Sequence, residues 1–130
     1  MAGMTPEVIQ RWLQIVESGD TEALDDLLAD DSVFTSPAVF TPQQGKKLTS
    51  MYLTAAMRLF GGTDFRYVGQ WYAENSAVLE FTTEIDDVHV NGIDMIQWNE
   101  SGQIVSVKVM LRPYKALQIV IPKMAELLQG

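Results

Sequence analysis

Apolar residues recur at helical spacing in the first part of the chain and at every second position further on. Ile9, Trp12, Leu13 and Val16 lie on one face of a helix. Thr5-Pro6-Glu7 supplies a hydroxyl cap, a first-turn proline and an acid for its start, and Ser18-Gly19 stops it. Asp20 caps a second helix with the stripe Ala23, Leu24, Leu27 and Leu28, ending at Asp30-Asp31. Two short extended segments are expected next: Val33 to Ser36, broken by Pro37, and Val39-Phe40, ended by Pro42. Leu48, Met51, Tyr52, Ala55 and Leu59 predict a third helix from Lys46 to Phe60, terminated by Gly61-Gly62.

From Phe65 onward the period becomes two. Strands are predicted at Phe65–Tyr72, Val78–Ile85, Val88–Trp98 and Ile104–Arg112, with turns at Glu74-Asn75-Ser76, Asp86-Asp87 and Asn99 to Gly102. Leu79, Phe81, Thr83 and Ile85 share one face, and Val78, Glu80, Thr82 and Glu84 the other. Asn91-Gly92 reads as a hairpin turn or as a bulge bending one long strand. The bulge is favoured, since a hairpin would strand Val88-His89-Val90 as a stub. After Pro113, the residues Leu117, Val120, Ile121, Met124, Leu127 and Leu128 predict an amphipathic helix kinked near Pro122.

Helices followed by a meander define an α+β domain, with the helices on one side of a curved antiparallel sheet and a concave space between them. At 130 residues, residues 1–130 form one domain, with 113–128 an appended helix. A net charge of -8 argues against a nucleic-acid partner. The apolar runs are too short for a membrane span, and Met1 to Pro6 lacks the features of a signal peptide. With no cysteine and one histidine, disulfides, thiolate chemistry and a zinc site are not expected. A cytoplasmic protein without metal or cofactor is the expectation. Val78, Thr82, Met95, Ile104 and Met110 on the outer sheet face suggest a homodimer surface.

Asp94 is the sharpest candidate for chemistry. Alternation places it beside Ile96 and Trp98 on the concave face, where an apolar pocket raises a carboxyl's pKa and lets it donate as a neutral acid. Alternatively it binds backbone N–H groups at Gly92 or faces solvent. Phe81 and Trp98 share that concave face as ligand-binding candidates. Tyr52, on the buried stripe of the third helix, faces a ligand or bonds a backbone carbonyl. His89 falls on the opposite face and is expected to be exposed.

Gly19-Asp20, Ala23-Leu24 and Leu27 to Asp31 resemble the second helix of nuclear transport factor 2-like proteins. Gly92 to Asn99 and Ser101 to Val105 resemble the last hairpin of that superfamily. The likeness covers roughly the first 112 residues and is greatest to the ketosteroid isomerase-like and SnoaL-like branch. It implies a dimeric cone of three helices on a four- to six-stranded antiparallel sheet, enclosing a pocket for a steroid-, polyketide- or terpenoid-like molecule. The isomerases use an Asp base with an oxyanion hole of a Tyr and a protonated Asp. The resemblance aligns Trp12 with the Tyr, Ser36 with the base and Ile93-Asp94 with the protonated Asp. A serine has no accessible basic form near neutrality, and an indole N–H donates without relaying a proton. Trp12 and Ser36 are therefore ligand-binding candidates and Asp94 the catalytic one. The rival expectation is a non-catalytic dimeric module for ligand or protein.

Overall fold

A computed structural model describes residues 4–129. Residues 1–3, part of the opening stretch read above for a targeting signal, and residue 130 lie outside the described residues. The first helix, α1 (Glu7–Ser18), buries Val8, Ile9, Trp12 and Ile15. Its last turn closes on Gly19 with φ 73°, a left-handed conformation that suits glycine. The expected Thr5 cap is corrected: Pro6 occupies that position without a side-chain bond. Asp20 does cap α2 (Thr21–Leu27), accepting from the Ala23 N–H at 3.1 Å.

The second helix ends earlier than its apolar stripe. Leu27 closes α2 and Leu28 opens β1 (Leu28–Thr35). Both leucines are fully buried, one on a helix face and the next on a strand. The Val39-Phe40 segment is not a strand, and Phe40 is 99% exposed. Pro37 and Pro42 bracket it without N–H donors. Pairing begins beyond Pro42, where β2 (Gln43–Gln44) runs antiparallel to Val33-Phe34. The third helix, α3 (Lys46–Phe60), has the predicted bounds.

The four later strands are β3 (Arg66–Tyr72), β4 (Ser76–Ile85), β5 (Val88–Trp98) and β6 (Ile104–Arg112), followed by α4 (Tyr114–Gln129). They form the expected meander within a six-stranded sheet of order β2-β1-β6-β5-β4-β3. The sheet is mostly antiparallel: β1 lies parallel to β6, a pairing open to them because α3 and four strands separate the two in the chain. Asp86 and Asp87, at φ 52° and 64°, make the tight β4–β5 turn with both central residues left-handed.

Gly92 sits in one long strand, as favoured, but no bulge accompanies it. Register runs unbroken through Phe81↔Gly92 and Gly92↔Leu111. Close approach explains the glycine: an added Cβ would lie 2.5 Å from Phe81 Cζ and 2.7 Å from both Leu111 Cδ2 and the Met110 carbonyl oxygen. The register shifts lie elsewhere, between Tyr67 and Gly69 on β3, opposite Gln97-Trp98 on β6, and between Leu28 and Val33 on β1. The second inserts one residue into β6 and so turns Ile104 inward, fully buried, instead of onto the outer face where strict alternation put it.

Two apolar clusters hold the layers together. One gathers Trp12, Leu24, Phe34, Leu53, Leu79 and Ile96 under α1, α2 and α3. The other joins Phe81, Ile85 and Val90 of the sheet to Ala116 and Val120 of α4. The C-terminal helix therefore completes the core and carries Pro122 within it. Among the described residues no helix is long and apolar enough to cross a membrane.

Candidate functional site

The middle of β5 lies at the centre of the sheet, where Asp94 pairs with Leu79 on β4 and Val109 on β6. Period-two alternation from Val90 through Gly92 turns its side chain to the helix side, and only 7% of the residue is exposed. A carboxyl held among aliphatic neighbours loses hydration, which penalises its charged form. Burial accordingly pushes Asp94 up from 3.8 to about 6, opposed by a hydrogen bond from Tyr67. The Tyr67 hydroxyl donates to Asp94 Oδ2 at 2.7 Å.

Tyr67 is itself held from behind. The Trp12 indole Nε1–H on α1 donates to the Tyr67 oxygen at 3.0 Å. An indole N–H can only donate, so the direction of the chain is fixed from Trp12 to Tyr67 to Asp94. Burial, and then the adjacent Asp94 charge, raise the Tyr67 pKa well above the usual phenol value, so Tyr67 remains a neutral donor. Its ring packs edge-on against Phe65 at 5.2 Å between centroids. Phe65 in turn lies 5.0 Å from Phe81 and 5.2 Å from Phe60, which fixes the phenol's direction by packing.

These groups line a cavity of about 700 Å³ between the sheet, α1, α3 and α4. Its size lies within the range of small-molecule sites. Trp12, Ser36, Tyr52, Phe81 and Asp94, five of the six residues singled out from sequence, stand on its wall. Trp98 does not: it is buried in the first apolar cluster, at the far end of β5. Alternation gave its face correctly, but the four residues from Asp94 to Trp98 span roughly 13 Å of strand. Ser36 accepts the Ala38 N–H at 3.0 Å within its own turn. Tyr52 stacks on Phe34 at 5.1 Å. His89 is exposed on the outer side, near Glu84.

The alternation argument does not single out Tyr67, which lies on the inward face of β3, just after Phe65, and pairs with Phe81. The period-two spacing of Phe65 and Tyr67 is the signal that the sequence offers. The third helix and α4 add apolar wall, including Met57, Leu59, Val120 and Met124. Glu17, near the end of α1, brings a second carboxyl to the wall, exposed to solvent. Among the described residues no three His, Cys, Asp or Glu side chains come together as a metal site.

A layered α+β cone with a buried carboxyl on an apolar cavity defines the class. The SnoaL-like domain pattern matches residues 9–107, and the chain belongs to that family, within the nuclear transport factor 2-like superfamily. A steroid delta-isomerase from Pseudomonas aeruginosa is 32% identical, with a TM-score of 0.87 over 94% of this chain and 89% of that one. A protein with a cystatin-like fold from Silicibacter pomeroyi is 27% identical, with a TM-score of 0.81 over 98% and 86%. The epoxide hydrolase/cyclase-like enzyme SalBIII shares the fold at 14% identity and a TM-score of 0.65, over 82% and 88%. No curated protein matches the chain.

Proposed function

We propose that the protein binds a small, mostly apolar molecule of steroid, polyketide or terpenoid kind in its cavity, with Asp94 as the polar anchor and acid/base group. The observation that carries this reading is the one buried carboxyl, among the described residues, on the wall of an apolar cavity of about 700 Å³. A carboxyl with a pKa of about 6 titrates close to neutrality, as suits a general acid or base. The likeness to a steroid delta-isomerase supports an isomerase- or cyclase-like reaction.

A non-catalytic ligand-binding module is the second reading. It is favoured by Ser36, which stands at the position aligned with the isomerase base and spends its oxygen on the Ala38 N–H. The two are separated by incubating the protein with a β,γ-unsaturated ketosteroid and following conjugation by ultraviolet absorbance. Turnover that disappears in Asp94→Asn supports an enzyme. Saturable binding without turnover supports the module, and no binding of any fused-ring ligand refutes both.

A further inference from the structure

We infer that the Trp12–Tyr67 pair makes Asp94 a one-sided hydrogen-bond acceptor, so that the cavity selects apolar alcohols and phenols over the matching ketones at and above neutral pH. The inference rests on the reading of the cavity as a ligand site and adds the polarity of the group that site takes. The indole N–H of Trp12 occupies the Tyr67 oxygen as an acceptor, and the one phenolic proton is given to Asp94 Oδ2. Tyr67 thus has no proton left for a ligand. Among the described residues, Tyr67 is the one hydrogen-bond partner of the Asp94 side chain, which leaves the rest of the carboxylate to a ligand.

No positive charge among the described residues on the wall reverses that polarity at Asp94. Glu17 on α1, Tyr52 on α3 and Tyr67 on β3 are the other titratable groups on the wall, and none is a cation. The facing strands bring Leu79, Phe81, Val109 and Leu111, and α4 brings Val120 and Met124. Among the described residues no lysine or arginine lines the cavity. A ketone oxygen set against this carboxylate meets a second acceptor, whereas a hydroxyl donates a charge-assisted bond to it. Once the carboxyl is protonated the asymmetry is lost, because the acid can then donate to a carbonyl. Tyr67 is a positioning residue in this scheme. It holds one carboxylate oxygen and stabilises the ionised form, and Trp12 holds Tyr67.

The test uses 2-tetralol and 2-tetralone, which differ only in hydroxyl against carbonyl, titrated calorimetrically into the full-length protein. At pH 8 the alcohol is expected to bind about tenfold or more tightly than the ketone, the value of one good hydrogen bond. At pH 5 the gap closes or reverses. In Asp94→Asn, whose amide keeps an acceptor for Tyr67 and offers donors to the cavity, the preference no longer changes with pH. In Tyr67→Phe the pH at which the preference switches moves upward, because the carboxylate has lost its donor; a purely structural role would leave that pH unmoved. Equal affinities at pH 8, or a tighter ketone, overturn the inference and leave the cavity reading standing. Binding of neither compound overturns both.

Discussion

Replacing Asp94 with asparagine changes the charge of the site while keeping its shape. An aspartate that titrates at 3.8 in the unfolded chain and at about 6 in the fold is destabilising when ionised. The sign follows from proton binding. Between pH 3.8 and about 6 the folded state holds more protons than the unfolded state, so stability falls as pH rises through that window and stays lower above it. The displacement corresponds to about 3 kcal/mol, at 1.36 kcal/mol for each tenfold change in proton affinity. The neutral amide of the variant would carry no such penalty and could still accept from Tyr67. Asp94→Asn is therefore expected to be more stable than wild type by about 2–3 kcal/mol at pH 8, with the gap shrinking below about 1 kcal/mol at pH 4. Urea titrations of both proteins at several pH values measure this directly. A variant less stable at pH 8, or a gap that does not change between pH 4 and 8, would show that Asp94 is not a carboxyl strained by burial.

Gly92→Ala should destabilise by about 3 kcal/mol, since the new methyl meets Phe81, Leu111 and a backbone carbonyl at once. Gly69→Ala, by contrast, meets the half-exposed Trp71 ring, which can swing aside, so chemical denaturation should detect less than about 1 kcal/mol. Ser36→Asp places a carboxylate where the resemblance puts the isomerase base; ketosteroid isomerisation above the wild-type level is expected in a spectrophotometric assay, and no gain would break that alignment. The outer sheet face exposes Val68, Trp71 and Met110, for which we propose self-association; light scattering at micromolar concentration should give twice the chain mass, and a monomer would count against it.

The outline of the fold was legible because its main elements obey one period each. Val78–Ile85 alternates cleanly, and its inward residues Leu79, Phe81 and Ile85 are buried as read. Errors arose where pairing, rather than pattern, decides. Val39-Phe40 looked like a strand but has no partner between its flanking prolines, and β2 formed at polar Gln43-Gln44 instead. One inserted residue in β6 turned Ile104 from surface to core, and no local feature of the sequence announces that insertion. Asn91-Gly92 was misread as a bulge because glycine has two uses, conformational freedom and lack of bulk, and only the tertiary contacts of Phe81 and Leu111 distinguish them.

The site was legible at Asp94, where alternation and resemblance agree, and less so at its partner. Tyr67 reaches Asp94 across β4, from 27 positions earlier in the sequence. Its role depends on the β3 register and on an indole from a helix 55 residues earlier. Trp12 was placed on the wall correctly, but its polar atom serves Tyr67, a contact that single-element periodicity cannot reveal.

The central claim is that the cavity beside Asp94 is a binding site for an apolar molecule. Calorimetric titration of a fused-ring steroid into wild type and into Ala56→Trp tests it most directly, because Ala56 lies on the cavity wall and an indole there fills the space. The account predicts one saturable site per chain in wild type and none in the filled variant, with circular dichroism showing both folded. Undiminished binding in Ala56→Trp, or no binding by the wild-type protein, would contradict it.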